Sequence, residues 1–180
     1  MRILVVTPLY PPEIAEPAPY VKELVTRLAA QHEVTLLAYT HLPEKVPGVR
    51  MLTVEKRRVL PLRLLSFFFA LSRASRNADM IYAMNGMSVE LPVFLTSFLP
   101  HRQVVLACSD PVAVRQAQTR WLARLVAHLA QSRARACIHT FPFPRPEIIP
   151  FEPYPSIAFS SYEHSWSEHL ELLHDTFTHA

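Results

Sequence analysis

The chain has 180 residues, half of them hydrophobic and 18% charged, which is enough to bury the core of one domain plus a tail and excludes disorder throughout. Two glycines against seventeen prolines exclude a phosphate cradle of clustered glycines, and neither G-x-G-x-x-G nor G-x-x-x-x-G-K-S/T is present. Residues 56 to 146 carry thirteen Lys/Arg against three Asp/Glu, whereas residues 147 to 180 carry six acidic residues and no basic one.

The amino terminus, MRILVVTPLYPP, has one charge and an apolar run too short for a secretory leader, so Arg2 to Thr7 is read as a strand buried on both faces of a parallel sheet. A proline-rich loop follows. Val21, Leu24, Val25 and Leu28 then recur at spacings of three and four and predict an amphipathic helix. Glu33 to Tyr39 and, after the turn at Pro47 and Gly48, Val49 to Val54 read as further strands. Strand, helix and strand at this spacing make a βαβ unit.

A second helix is predicted over Leu62 to Arg76, a strand over Ala78 to Met84, and a turn at Asn85 and Gly86. The stretch from Met87 to Leu99 suits a helix that tolerates Pro92 in its first turn if Ser88 or Glu90 caps it. Gln103 to Ser109 is the next buried strand, Val112 to Arg135 one long helical stretch, and residues 135 to 141 a short closing strand. The longest greasy run, Val59 to Leu71, is interrupted by Pro61 and Arg63 and falls short of the ~20 residues of a spanning helix. Prolines at 142, 144, 146, 150, 153 and 155 make residues 142–160 an extended linker. A terminal helix over 161–180, capped by Ser165 or Ser167, then carries Trp166, Leu170, Leu173 and Phe177 on one side. The fold class expected is α/β.

The stretch ILVVTPLYPPEIAEPAPYVKELVTRLAAQHEVTLLAY resembles the opening of the GT-B-fold glycosyltransferases of family 4, with their proline-containing loop, helix and "HEVT" strand. A looser match runs through ADMIYAMNGMSVELPVFL and VVLACSDPVAVRQA, so the likeness covers roughly residues 1 to 140. It implies a Rossmann-like, doubly wound, mostly parallel sheet of five or six strands with helices on both faces. Residues 1–141 would be the acceptor-side domain, 142–160 the linker and 161–180 a closing helix that packs back on the first domain. Family members hold the nucleotide-sugar donor mainly in a carboxy-terminal domain. The residues after Phe141, six of them proline, are too few to build one.

The resemblance therefore implies sugar transfer to a glycan or lipid-linked acceptor that needs a separate donor-domain subunit, the chain alone being inactive or very weak. The alternative is a non-catalytic acceptor-binding or regulatory module. Ala15 and Glu16 stand where relatives carry Gly-Gly, and a carboxylate there would repel a diphosphate. The histidine or glycine that many relatives place before the aspartate is Ser109 here.

In an open parallel sheet, ligands meet the carboxyl ends of the strands. Glu13, Ala15, Glu16 and Tyr20 in the first loop, Asn85 and Gly86 after the fourth strand, and Ser109 after the fifth are the candidate acceptor contacts. Asp110 is the candidate catalytic residue, as a base or hydroxyl acceptor, and equally a cap for a helix starting at Pro111. His164, His169, His174 and His179 advance by five and scatter around a helix, so no metal site is expected, and no cofactor. The arginine-rich middle lacks interleaved aromatics, so nucleic acid is not an expected partner. That middle suits either the acidic tail, an anionic partner or plain solvation. Phe67, Phe68 and Phe69 beside Arg63, Arg73 and Arg76 offer peripheral membrane contact, against ordinary core packing. The location expected is cytoplasmic, with that contact on the inner face of the membrane.

Overall fold

A computed structural model describes residues 1–13, 17–57, 59–99, 103–108, 110–138 and 156–178. Six strands, β1 (Arg2–Thr7), β2 (Glu33–Tyr39), β3 (Val49–Val54), β4 (Met80–Met84), β5 (Gln103–Ala107) and β6 (Ala136–Ile138), form one parallel sheet in the order β3-β2-β1-β4-β5-β6. The strand bounds of β1, β2 and β3 are those predicted; β4 and β5 are two residues shorter. The helices of this part are α1 (Ala18–Leu28), α2 (Leu60–Ser75), α3 (Met87–Thr96), α4 (Pro111–Thr119) and α5 (Trp121–Arg133).

The order reverses direction at β1. With right-handed crossovers, α1 falls on one face and α2, α3 and α5 on the other. The contacts agree: α1 packs on β1 and β2, whereas α3 packs on both α2 and α5. The main core lies under these three helices, where Phe67 and Leu71 of α2, Val89 and Val93 of α3 and Ala130 of α5 meet Leu4, Val6, Leu37, Ile81 and Leu106 of the sheet. At the amino edge, the Arg2 guanidinium and backbone N–H both donate to the Asp79 carboxylate, joining the starts of β1 and β4. This contact holds the Asp79 carboxyl below its usual range.

Three local features differ from the expectations. Pro92 lies in the interior of α3, not in its first turn. Lacking an N–H, it leaves the Ser88 carbonyl four residues earlier without its helical donor, and the Tyr39 hydroxyl donates to that carbonyl at 3.0 Å. Tyr39 also stacks on Phe67 at 4.2 Å between centroids, with the Arg63 guanidinium over its ring. Tyr39→Phe should cost about 1 kcal/mol, since an orphaned acceptor replaces a bond while the stacked ring stays; urea unfolding measures it.

The long helix expected over Val112 to Arg135 is two helices. Arg120 is extended, with φ −115° and ψ 119°. The break is held by Arg124, whose guanidinium donates to the terminal carbonyls of Ala117 and Gln118 at 3.3 and 2.6 Å. Unsatisfied carbonyls at a helix end attract such a cation. Neither of the two caps considered for α3 forms: the residue at the cap position is Gly86, no side chain bonds there, and Glu90 stands in the first turn.

The chain divides into two compact units, residues 1–138 and 139–180. In the second, α6 spans Ser156–Thr178, so it begins inside the stretch read as linker; residues 139–155 lie outside the described set. Ser165 and Ser167 are therefore mid-helix, and Ser167 donates back to the Glu163 carbonyl at 2.9 Å instead of capping. Trp166, His169, Leu173 and Phe177 recur at three and four and are buried. Burial pushes the His169 imidazole down to about 4. Among the described residues, no helix is long and apolar enough to cross a membrane.

Candidate functional site at the carboxyl edge of the sheet

The neighbouring strands β1 and β4 send their connections in opposite directions, which makes the point between their carboxyl ends the natural ligand position. The first loop reaches it tightly turned. Buried Thr7 donates to the Leu9 carbonyl at 2.7 Å, Pro11 and Pro12 are joined by a cis peptide bond, and the Tyr10 side chain is buried. Among the described residues the Tyr10 hydroxyl has no hydrogen-bond partner, and burial, with Glu44 nearby, pushes it up to about 12. The loop after β2 joins it through the Glu44 N–H, which donates to the Pro11 carbonyl at 3.3 Å, and through an ion pair between Glu44 and Lys22 of α1.

On the other side of the switch point, Gly86 has φ +134°, a conformation that L side chains rarely adopt, and the position of a Cβ there would be 3.6 Å from Pro8. The first loop thus lies directly against the turn that follows β4. Asn85 spans from β4 to the end of β5. Its Oδ1 accepts from the Asp110 N–H at 2.8 Å and its Nδ2 donates to the Asp110 carbonyl at 3.2 Å, while its own N–H donates to the Ala107 carbonyl at 2.9 Å.

Asp110 is 7% exposed, and its Oδ1 accepts from the Val112 N–H at 2.8 Å, so the carboxylate caps α4. Burial raises its pKa, opposed by the N–H groups of Val112 and Ala113. The cap occupies the group that the alternative role, base or hydroxyl acceptor, would use.

The remaining candidates divide. Glu13 is bound by Lys56 of the segment after β3, at 2.7 and 2.9 Å, which draws it toward the β3 side of the sheet. Tyr20 is buried, and its hydroxyl lies 2.9 Å from that of Tyr82 on β4. Desolvation pushes both phenols well up, so they stay protonated. Ala15, Glu16 and Ser109 lie outside the described residues. The structure therefore brings Asn85, Gly86 and Asp110 together and sets Glu13 and Tyr20 apart from them.

Glu90 joins this group as a titrating residue. It is 5% exposed in the first turn of α3, and burial pushes its carboxyl up to about 7, the Gly86 N–H opposing the shift. Its charge acts on the thiols of Cys108 and Cys137; burial lifts the Cys108 thiol to about 12, so it stays protonated. A carboxyl of this kind can donate or accept a proton near neutral pH. The sequence carries a signal for it: Glu90 is the only charged residue in MSVELPVFLT. Among the described residues, no three His, Cys, Asp or Glu side chains are placed to hold a metal ion together.

No protein-family profile and no curated protein matches the sequence. Among solved structures, the chain is similar to a Listeria monocytogenes protein assigned as a UDP-N-acetylglucosamine 2-epimerase, with a TM-score of 0.53 at 14% identity over 77% of this chain. The match spans 38% of that protein. At this identity the likeness shows the fold alone: a Rossmann fold of the GT-B type, with an all-parallel sheet and helices on both sides.

Proposed function

We propose that this chain is the acceptor-side lobe of a glycosyltransferase similar to family 4, serving transfer of a sugar from a nucleotide-sugar to a glycan or lipid-linked acceptor. The donor-binding lobe is supplied by residues other than these. One observation carries the reading: Asn85, Gly86 and Asp110 gather with the first loop at the carboxyl ends of β1, β4 and β5, where a sheet of this order meets its ligand. The likeness of residues 1 to 140 to the family supports it from the sequence side. On this reading Glu90 keeps a proton available beside that position, and the Asn85–Asp110 lock fixes the start of α4.

A second reading, a non-catalytic acceptor-binding module, draws on the commitments of the candidate side chains. Asp110 is spent on a helix cap, Glu13 on Lys56 and Tyr20 on Tyr82.

Mixing the purified chain with the donor lobe of a family 4 enzyme, and following release of nucleoside diphosphate, separates the two. The chain alone should show no turnover, and the mixture should show turnover that Glu90→Gln lowers about a hundredfold. Binding of glycans or polyprenyl phosphates without turnover in any mixture favours the second reading. Robust turnover by the chain alone overturns both.

A further inference from the structure

The outward side of the helical layer departs from the pattern of a solvated surface. Helix α2 buries Phe67, Leu71 and Ser75 and contains no acidic residue. Its opposite side presents Leu62, Leu65 and Phe69, spaced by three and four and exposed by 57%, 52% and 61%. Arg73 and Arg76 continue the same line at spacings of four and three, both exposed. Of the three adjacent phenylalanines, Phe67 is in the core and Phe69 points outward. A water-facing helix reverses this order, with charged residues where these leucines stand.

The other helices of the layer repeat the combination. On α5, Trp121 is 72% exposed and Leu122 and Leu125 are exposed beside Arg120 and Arg124. Just past α3, exposed Phe98 lies under the Arg133 guanidinium at 4.4 Å. The packing of α3 on α2 and α5 and their shared core place these helices on one face of the sheet.

Charge decides what such a surface meets. Among the described residues from 56 to 138, the carboxylates are Asp79, bound by Arg2, and Glu90 and Asp110, both buried. None of these three carboxylates is left to offset Arg73, Arg76, Arg120 and Arg124. Protruding apolar side chains, an exposed tryptophan and arginines with long apolar stems match the boundary of a lipid bilayer, where rings and methyls enter the acyl region and guanidinium groups meet phosphates.

We infer that the α2–α3–α5 side docks on a bilayer surface containing anionic phospholipid. The inference stands apart from the transferase reading, because it uses none of the residues at the carboxyl edge.

Vesicle flotation of the full chain tests it. Binding to phosphatidylcholine vesicles with about a third phosphatidylglycerol should exceed binding to pure phosphatidylcholine at least about tenfold and should fall steeply toward about 0.5 M salt. Leu65→Glu with Phe69→Glu should lower it about tenfold or more, with an unchanged circular dichroism spectrum because both sites are exposed. Arg73→Glu with Arg76→Glu should remove the preference for anionic vesicles. Equal binding to both vesicle types, or retention of binding by both double variants, overturns the inference. So does a dimer that Phe69→Glu dissociates in the absence of vesicle binding, since the surface would then belong to a second copy.

Discussion

Glu90→Gln should raise the stability of the chain by about 3 kcal/mol at pH 8 and leave it nearly unchanged near pH 4. Burial lifts the Glu90 carboxyl from 4.5 to about 7, and each pKa unit corresponds to about 1.4 kcal/mol. Between those two values the native chain holds a proton that the unfolded chain has released. Stability therefore falls as pH rises through the window, and above it the fold carries a buried carboxylate at full cost. Glutamine does not titrate and has nearly the size and shape of the neutral carboxyl. Urea unfolding of both proteins from pH 4 to 8 gives the difference curve, in which the other titrating groups cancel. A difference that does not change with pH would show that Glu90 is solvated in its charged form.

Asn85→Ala should cost about 1 to 3 kcal/mol. The substitution removes the partner of the Asp110 N–H and one of two donors to the Asp110 carbonyl, which keeps the Val114 N–H at 3.0 Å, in a site where both Asn85 and Asp110 are buried. Each buried group left unpaired costs about 1 to 3 kcal/mol. Asn85→Asp sharpens the test. Its carboxylate still accepts from the Asp110 N–H but turns an acceptor toward the Asp110 carbonyl, a mismatch that protonation repairs. The aspartate variant should thus regain stability relative to the alanine variant as pH falls below its carboxyl pKa. A loss under about 0.5 kcal/mol in Asn85→Ala would mean that the bridge between the ends of β4 and β5 does not hold the start of α4.

Both expectations concern residues whose importance was unevenly legible. Asn85 stands out in the sequence as a turn residue after an apolar strand, which places it at the carboxyl edge without revealing its partner. Its partner lies 25 residues away, and only the pairing of β4 with β5 brings the two together. Glu90 reads from sequence as a helix cap. Its buried, proton-retaining state follows from the side chains around it, including the thiols of Cys108, just past β5, and Cys137 of β6. Tyr20, in a helix otherwise readable from its spacing, looks like a loop-facing contact until α1 is set on the sheet and its hydroxyl meets Tyr82.

The strands show the reverse. β1, β2 and β3 have the bounds that their apolar runs predict, because a parallel strand covered on both faces needs continuous hydrophobicity and ends where prolines, glycine or charge interrupt it. What the sequence alone determined was therefore the alternation of elements, the parallel sheet and the edge on which the loops converge, all consequences of local periodicity and chain-length limits. Which side chains are committed there, where the long helix breaks at Arg120 and how α3 accommodates Pro92 were decided by the tertiary structure. Those outcomes depend on desolvation and on hydrogen bonds between residues distant in the chain, and such partners exist only once the sheet has placed them side by side.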